Sequence, residues 1–302
     1  MKTIKNNKRI VTRPDFDGIV CAALLFEAES IDQPVLWTEP GDIQQARIPI
    51  QDGDILANLP FDDRCLLWFD HHISNQTEKP FKGAFRIAPS AARVIYEHYQ
   101  EIFQHRYDRL IAEADKIDAA RLTMDEVLYP EKYPLVLLSM TIINRDKEDE
   151  SYWNHLVDLL RKKSIEDVMK DPEVEKRSQA IVRQNILYKE VLRKHTTISR
   201  NIAVTDLRSY DQAPFGNRFM VYALYPEAMV SIRVRCADND RNIIIMSVGH
   251  NIFNQSCQVN IGLLLSRYNG GGHRGAGACS FDAPLYEQYI NEIKEILYEN
   301  EL

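Results

Sequence analysis

Two carboxylates one residue apart, Asp15 and Asp17, follow the β-branched run "KRIVT" and precede Gly18. In an open α/β sheet, ligands collect outside the carboxyl ends of the strands. Because Phe16 stands between them, both carboxylates reach one site only where the backbone turns, and Gly18 permits such a turn. Taken alone, the stretch reads as an Asx-type turn capping the next helix. A second set, Asp70-His71-His72, closes the apolar run "RCLLWF". Histidine is the commonest metal ligand, and a neighbouring carboxylate fixes its tautomer. Oxygen-rich sites with one or two histidines suit Mn2+ or Mg2+ better than zinc.

Two further sets are weaker alone. Asp115 and Asp118, in "EADKIDAA", are three apart and share one face of a helix. Unaided, they read as a solvated face with Lys116 and Arg121 as partners. In "GGGHRGAGA", residues 270–278, small residues let the backbone approach a ligand closely, and their N–H groups can form an anion nest. His273 and Arg274 inside the run supply cations where a phosphate would need them. A flexible loop is the plain alternative, but flexible linkers are usually Ser/Gly mixtures without a central His-Arg.

The elements that must hold these residues follow from patterning. Up to residue 100, "KRIVT", "PVLWTE", "GDILANLP" and "RCLLWFDHH" read as strands, while "IVCAALLFEAES" and the Ser90-capped "APSAARVIYEHYQEIF" read as helices. This rhythm predicts an α/β fold with a mostly parallel sheet flanked by helices. Residues 101–195 read as helical, a connector ending in the long "EVEKRSQAIVRQNILYKEVLRKH". After His195, "NIAVTDL", "RFMVYALYP", "VSIRVRCA" and "NIIIMSVG" read as β-type runs, followed by a helix, the glycine run and a terminal helix. That predicts a smaller C-terminal α+β domain, with domains at 1–190 and 197–302.

The 302 residues, 45% hydrophobic and 27% charged, suffice for two cores. A net charge of −7 argues against a broad nucleic-acid clamp but leaves room for a small basic pocket. Five scattered cysteines without a CxxC pair make a reducing cytoplasm the simplest home. The basic start "MKTIKNNKRIVTRP" lacks the apolar core of a signal peptide, and no run of about 18 apolar residues suggests a membrane span.

"PDFDG", "DHH" and "GGGHRGAG", in that order, resemble the DHH phosphoesterases that carry a DHHA1 domain. The superfamily includes the exonuclease RecJ, oligoribonuclease/pAp-phosphatase enzymes, cyclic dinucleotide phosphodiesterases and family II pyrophosphatases. Among its members, the chain looks most like the exopolyphosphatase-related proteins. The resemblance implies phosphate-ester hydrolysis by metal-activated water, with one or two Mn2+ (or Mg2+) ions. It makes Asp15, Asp17, His71 and Asp118 metal ligands, Asp118 ahead of Asp115. It makes Asp70 the residue that orients His71, and it turns His72 toward the substrate phosphate. Gly271, Gly272, His273 and Arg274 would hold a far phosphate or nucleotide. A homodimer is expected from the resemblance alone.

Two positions depart from the family pattern. Arg13 and Val11 stand where members place a histidine. Asn58 stands where an aspartate usually bridges two metals, and Asp54 is at the wrong end of that strand. Either the Arg13 guanidinium fills the space of a missing cation, leaving one metal held by Asp17, His71, Asp118 and Asn58, or Arg13 points to solvent and pairs with an acidic neighbour. The implied substrate is a short single-stranded oligonucleotide, a dinucleotide or a nucleoside bisphosphate. Polyphosphate is the alternative substrate, and a non-catalytic binder of phosphorylated nucleotides is the alternative class.

Overall fold

The computed structural model describes residues 7–31, 33–143 and 149–301, so the first six residues of the basic N-terminus lie outside the described residues. Met1–Arg121 with Glu131–Gln179 form one compact unit, and Leu122–Pro130 with Ala180–Leu302 form the other. No described helix is long and apolar enough to cross a membrane.

The first unit is built on β1 (Arg9–Thr12), β2 (Leu36–Trp37), β3 (Asp54–Ala57), β4 (Leu67–Asp70) and β5 (Gly83–Phe85). They form one sheet in the order β2-β1-β3-β4-β5, and every pairing is parallel. Parallel strands covered on both faces read as near-continuous apolar runs, as "ILA" and "LWF" do here. The helix Phe16–Ala28 leaves directly from β1 and is buried from Phe16 to Leu25. It is apolar all round because the sheet lies behind it and other helices, including Glu150–Lys162 and Asp108–Asp118, cover it. Truncating a side chain such as Leu24, fully buried here, costs about 2–5 kcal/mol in a core of this kind. Register puts the carboxyl ends of β1, β3 and β4 side by side, since Thr12 pairs with Ala57 and Ala57 with Phe69. Thus the segments after residues 12, 57 and 69 open on one edge of the sheet.

The second unit holds β6 (Thr196–Ser199), β7 (Ile202–Asp206), β8 (Val230–Ala237), β9 (Asp240–His250), β10 (Gly271–His273) and β11 (Ala276–Asp282). Their order is β10-β11-β9-β8-β7-β6, with only β7 and β8 parallel. The helices Ile261–Ser266 and Tyr286–Glu299 contribute Leu264, Leu265, Ile290 and Ile293 to its core.

One expected strand is helical. "RFMVYALYP" forms the short helix Met220–Leu224, which buries Met220, Val221 and Tyr222 beside Tyr188 and Leu192. Three consecutive buried residues mimic a strand's apolar run, and an apolar run this short does not separate the two states.

Candidate functional site

The turn after β1 does cap a helix. Asp15 is the N-cap of Phe16–Ala28, and its Oδ1 accepts the Gly18 N–H at 2.8 Å. A Cβ on Gly18 would lie 2.0 Å from the Arg13 carbonyl oxygen, so only glycine lets the helix start this close to the strand. The Asp15 carboxylate also accepts from Asn58 Nδ2 at 3.1 Å, and its Oδ2 lies 3.3 Å from Arg13 Nη1. Arg13 Nε lies 3.4 Å from Glu39, and the arginine side chain is only 28% exposed. The guanidinium therefore faces carboxylates inside the site rather than bulk solvent. Asn58 follows β3 with a φ of 58°, a left-handed conformation that asparagine tolerates better than most residues. Its amide oxygen is buried without a hydrogen-bond partner.

Asp17 points inward. It is 2% exposed, and its two oxygens accept the N–H groups of Ala91 and Ala92 at 2.8 and 2.9 Å, at the start of the helix Ala91–His98. Oδ2 also lies 4.0 Å from His71 Nε2, which is 3.4 Å from Asp118 Oδ2. His71 Nδ1 is 2.9 Å from the Ala88 carbonyl oxygen, so Nδ1 carries a proton and Nε2 is the nitrogen turned toward the carboxylates. Nε2 is buried and has no hydrogen-bond partner.

The ligand atoms of Asp17, His71 and Asp118 lie within 4.8 Å of one another. Two ligands each about 2.1 Å from one ion are at most about 4.2 Å apart, so the two His71 separations suit a shared divalent ion. Burial, then repulsion from Asp15, pushes the Asp17 pKa up to about 7 against the pull of the two amides. Asp118 also rises to about 7, through burial and the charges of Asp17 and Asp15. Its side chain keeps 29% exposure, so solvent screens it more than Asp17. Carboxylates that resist ionisation together until a cation arrives are what a metal site requires. Asp115, three residues earlier, is taken by Arg93 at 2.6 Å and by the Ser90 hydroxyl at 2.7 Å.

Asp70, expected to orient His71, holds His72 instead. Its Oδ1 is 2.8 Å from His72 Nδ1, and its Oδ2 accepts from Asn75 Nδ2 at 2.7 Å. Side chains two apart on an extended backbone share a face, so residue 70 meets residue 72 and not 71. The hydrogen bond to Asp70 raises the His72 pKa against the opposing effect of burial. Asp70, His71 and His72 also cluster closely enough for a metal. Within that set His72 Nδ1 and Asp70 already satisfy each other, whereas His71 Nε2 faces Asp17 and Asp118 with no hydrogen-bond partner, so the set containing Asp17 and Asp118 suits an ion better.

The glycine run is a β-hairpin and not the flexible loop that stood as the plain alternative. Gly271 pairs with Ala278, Gly272 with Gly277 and His273 with Ala276, leaving Arg274-Gly275 as a two-residue turn at the sheet edge. Gly272 has a φ of 150°, and a Cβ there would meet the Ala276 carbonyl oxygen at 2.3 Å. His273 and Arg274 are exposed.

No family model matches the sequence, and no curated protein matches it. Among solved structures, a pGpG-specific phosphodiesterase from Vibrio cholerae is 31% identical, with a TM-score of 0.86 over 98% of this chain and 100% of that one. The chain belongs to the DHH/DHHA1 phosphoesterase family. An exopolyphosphatase-related protein from Bacteroides fragilis shares the fold at 14% identity and a TM-score of 0.50, covering 97% of this chain and 94% of that one. RecJ from Thermus thermophilus in complex with Mn2+ shares it at 13% identity and a TM-score of 0.55, covering 97% of this chain and 52% of that one.

In this DHH protein, the residues that sequence reasoning missed are those that hold the others. The Ala88 carbonyl and the Ala91 and Ala92 amides act through the backbone, which leaves no side-chain signal. Asn75, three residues after His72, does leave one: a short amide just beyond the triplet, within reach of its carboxylate. Glu39, beside Arg13, lies at the end of the "PVLWTE" run.

Proposed function

We propose that the protein is a metal-dependent phosphodiesterase acting on a short oligonucleotide, a dinucleotide of the pGpG type or a nucleoside bisphosphate. The observation that carries this reading is the partnerless, buried Nε2 of His71, aimed between Asp17 and Asp118. On this reading Asp17, His71 and Asp118 hold a divalent ion, with the free amide oxygen of Asn58 as a fourth donor and Asp15 kept beside it by Arg13. Mn2+ or Mg2+ bound there supplies Lewis-acid polarisation of a phosphoryl oxygen and lowers the pKa of a bound water. His72, locked by Asp70 through Nδ1, offers its Nε2–H to a phosphate oxygen, and Arg13 offers its fork to the same anion. Gly271, Gly272, His273 and Arg274 bind the substrate's other phosphate. We assign the DHH domain with its connector to residues 1–190 and the DHHA1 domain to 197–302, the connector segments 122–130 and 180–190 being those that pack with the second unit. Five free cysteines suit a cytoplasmic enzyme, and the family resemblance suits a homodimer.

The test is turnover of pGpG, pAp, a model phosphodiester and polyphosphate by the full chain with Mn2+ or Mg2+. The expected result is cleavage of a nucleotide substrate, lost in His71→Ala and Asp118→Ala. Wild-type rates in both variants would overturn the site. A second reading, a non-catalytic nucleotide binder, is favoured by the Arg13–Asp15 pair, because a guanidinium stands where a metal ligand is usual. Nucleotide binding with no turnover on any substrate supports that reading, and cleavage of polyphosphate alone supports an exopolyphosphatase.

A further inference from the structure

The second unit contains a cavity of about 660 Å³ that shares no residue with the glycine hairpin. It opens where β7 ends and β9 begins, lined by Asp206 and Arg208 on one side and by Arg241 and Ile244 on the other. The hairpin lies toward the far end of the same strand, since β11 pairs Ala276 with Gly249. At about 3.4 Å per residue, Ile244 and Gly249 are roughly 17 Å apart along β9.

The lining has a specific chemistry. Lys194, Arg208 and Arg241 line it together with one carboxylate, Asp206, and Arg241 also pairs at its rim with the exposed Asp211 at 2.7 Å, which leaves one net positive charge among these groups. Asp206 is already neutralised: its oxygens accept from Arg208 Nε and Nη2, the latter at 2.6 Å. Arg208 is held flat, with its guanidinium carbon 3.6 Å from the centroid of the buried Tyr286 ring. One face of that plane is covered by the tyrosine, and a planar cation so fixed is a stacking platform for an aromatic base. Ile244 and Cys236 give the apolar wall a base needs, and the Thr197 and Ser209 hydroxyls suit a ribose. Lys194 has no ion-pair partner among those found in the described residues, which leaves it for a phosphate. The volume is within the range of small-ligand sites, about 300–1,000 Å³.

We propose that this cavity binds a nucleoside monophosphate, with its base on Arg208 and its phosphate on Lys194 and Arg241. The site is a second one, separate from the glycine hairpin, and its occupancy does not depend on the reaction assigned to the first unit.

The test is calorimetric titration of AMP and GMP into the metal-free full chain, with guanosine and inorganic phosphate as partial probes. Lys194 and Arg241 are exposed, so Lys194→Ala/Arg241→Ala preserves the fold. The expected result is binding of at least one monophosphate, weakened about tenfold or more in that double variant, as loss of charge-assisted contacts predicts. Binding is retained in Arg274→Ala, and Mn2+-dependent turnover is unchanged in the double variant. Affinity for guanosine and for phosphate is lower than for the monophosphate. Absence of monophosphate binding at millimolar concentration overturns the proposal. So does binding that Arg274→Ala abolishes and Lys194→Ala/Arg241→Ala leaves intact.

Discussion

His71 Nε2 lies 3.4 Å from Asp118 Oδ2 and 4.0 Å from Asp17 Oδ2, buried and without a hydrogen-bond partner. The Ala88 carbonyl accepts from Nδ1 and fixes the ring so that Nε2 faces both carboxylates. A divalent cation among these three groups would draw the nitrogen and both carboxylates to one centre. We predict one tightly held Mn2+ per chain, measured by metal analysis after gel filtration. His71→Ala should lower the affinity by more than the roughly 10–100-fold seen when a residue that merely orients a ligand is lost.

Asp17 and Asp118 both titrate at about 7 in the folded, metal-free protein. Unfolded carboxylates titrate at about 4. Their raised values therefore contribute stability that is fully present below about pH 4 and lost as pH rises through about 7, because the folded state must then ionise both. The raised pKa of His72 acts in the same direction. Thermal unfolding in EDTA should give a lower midpoint at about pH 8 than at about pH 6. Added Mn2+ should restore more stability at the higher pH, where protons no longer compete. Asp17→Asn/Asp118→Asn should flatten the slope. A metal-free midpoint that rises over the same interval would show that these carboxylates are not the crowded pair described.

Arg13 Nη1 lies 3.3 Å from Asp15 Oδ2, and Asn58 Nδ2 donates to Asp15 Oδ1. Positive charge and N–H donors thus surround the carboxylate that a second ion would need. Replacing both neighbours, in Arg13→His/Asn58→Asp, removes the guanidinium and adds an imidazole and a carboxylate. Metal analysis should then find two Mn2+ per chain, against the one expected for the natural protein. Two ions in the unmodified protein would mean that Arg13 does not stand in for a cation.

The strands and helices that carry the site were legible because each ends on a polar residue after an apolar run, as β4 ends at Asp70. The convergence of Asp17, His71 and Asp118 was not legible from spacing. It depends on the register of β1, β3 and β4 and on where the helix Asp108–Asp118 packs, and both are long-range. The family resemblance supplied that grouping in advance. It misdirected Asp70, because adjacency in sequence suggests His71 while strand alternation selects His72. The glycine hairpin was hidden for a related reason. Glycine-rich runs carry no alternation of apolar side chains, so "GGGHRGAG" shows no period of two.

Asn75 and His72 grip opposite oxygens of the buried Asp70 carboxylate. Removing the amide leaves one oxygen without its donor and frees the carboxylate to rotate. Asn75→Ala should reduce kcat about tenfold with little change in KM, since its role is to hold His72 and not to bind substrate. Asp70→Asn should lower the His72 pKa, because the charge that favours the imidazolium is gone. Histidine titration by NMR reads that directly. An unchanged His72 titration in Asp70→Asn would sever the proposed link.

Two neighbouring glycines of the hairpin should respond oppositely to alanine. A Cβ on Gly271 meets nothing within 4 Å, so Gly271→Ala should shift stability by no more than about 0.5 kcal/mol. Gly272 has a φ of 150°, and its Cβ would approach the Ala276 carbonyl oxygen to 2.3 Å. Gly272→Ala therefore combines backbone strain with a clash in the hairpin, and it should destabilise the second unit by about 1–3 kcal/mol. Chemical denaturation of the two variants separates the cases. The same pair tests function. Open space beside Gly271 is where a substrate backbone can approach, so Gly271→Ala should raise KM for a nucleotide substrate while its unfolding curve matches the parent. A raised KM with an unmoved denaturation midpoint assigns that face of the hairpin to substrate. An unaltered KM would leave the glycines a folding requirement and nothing more.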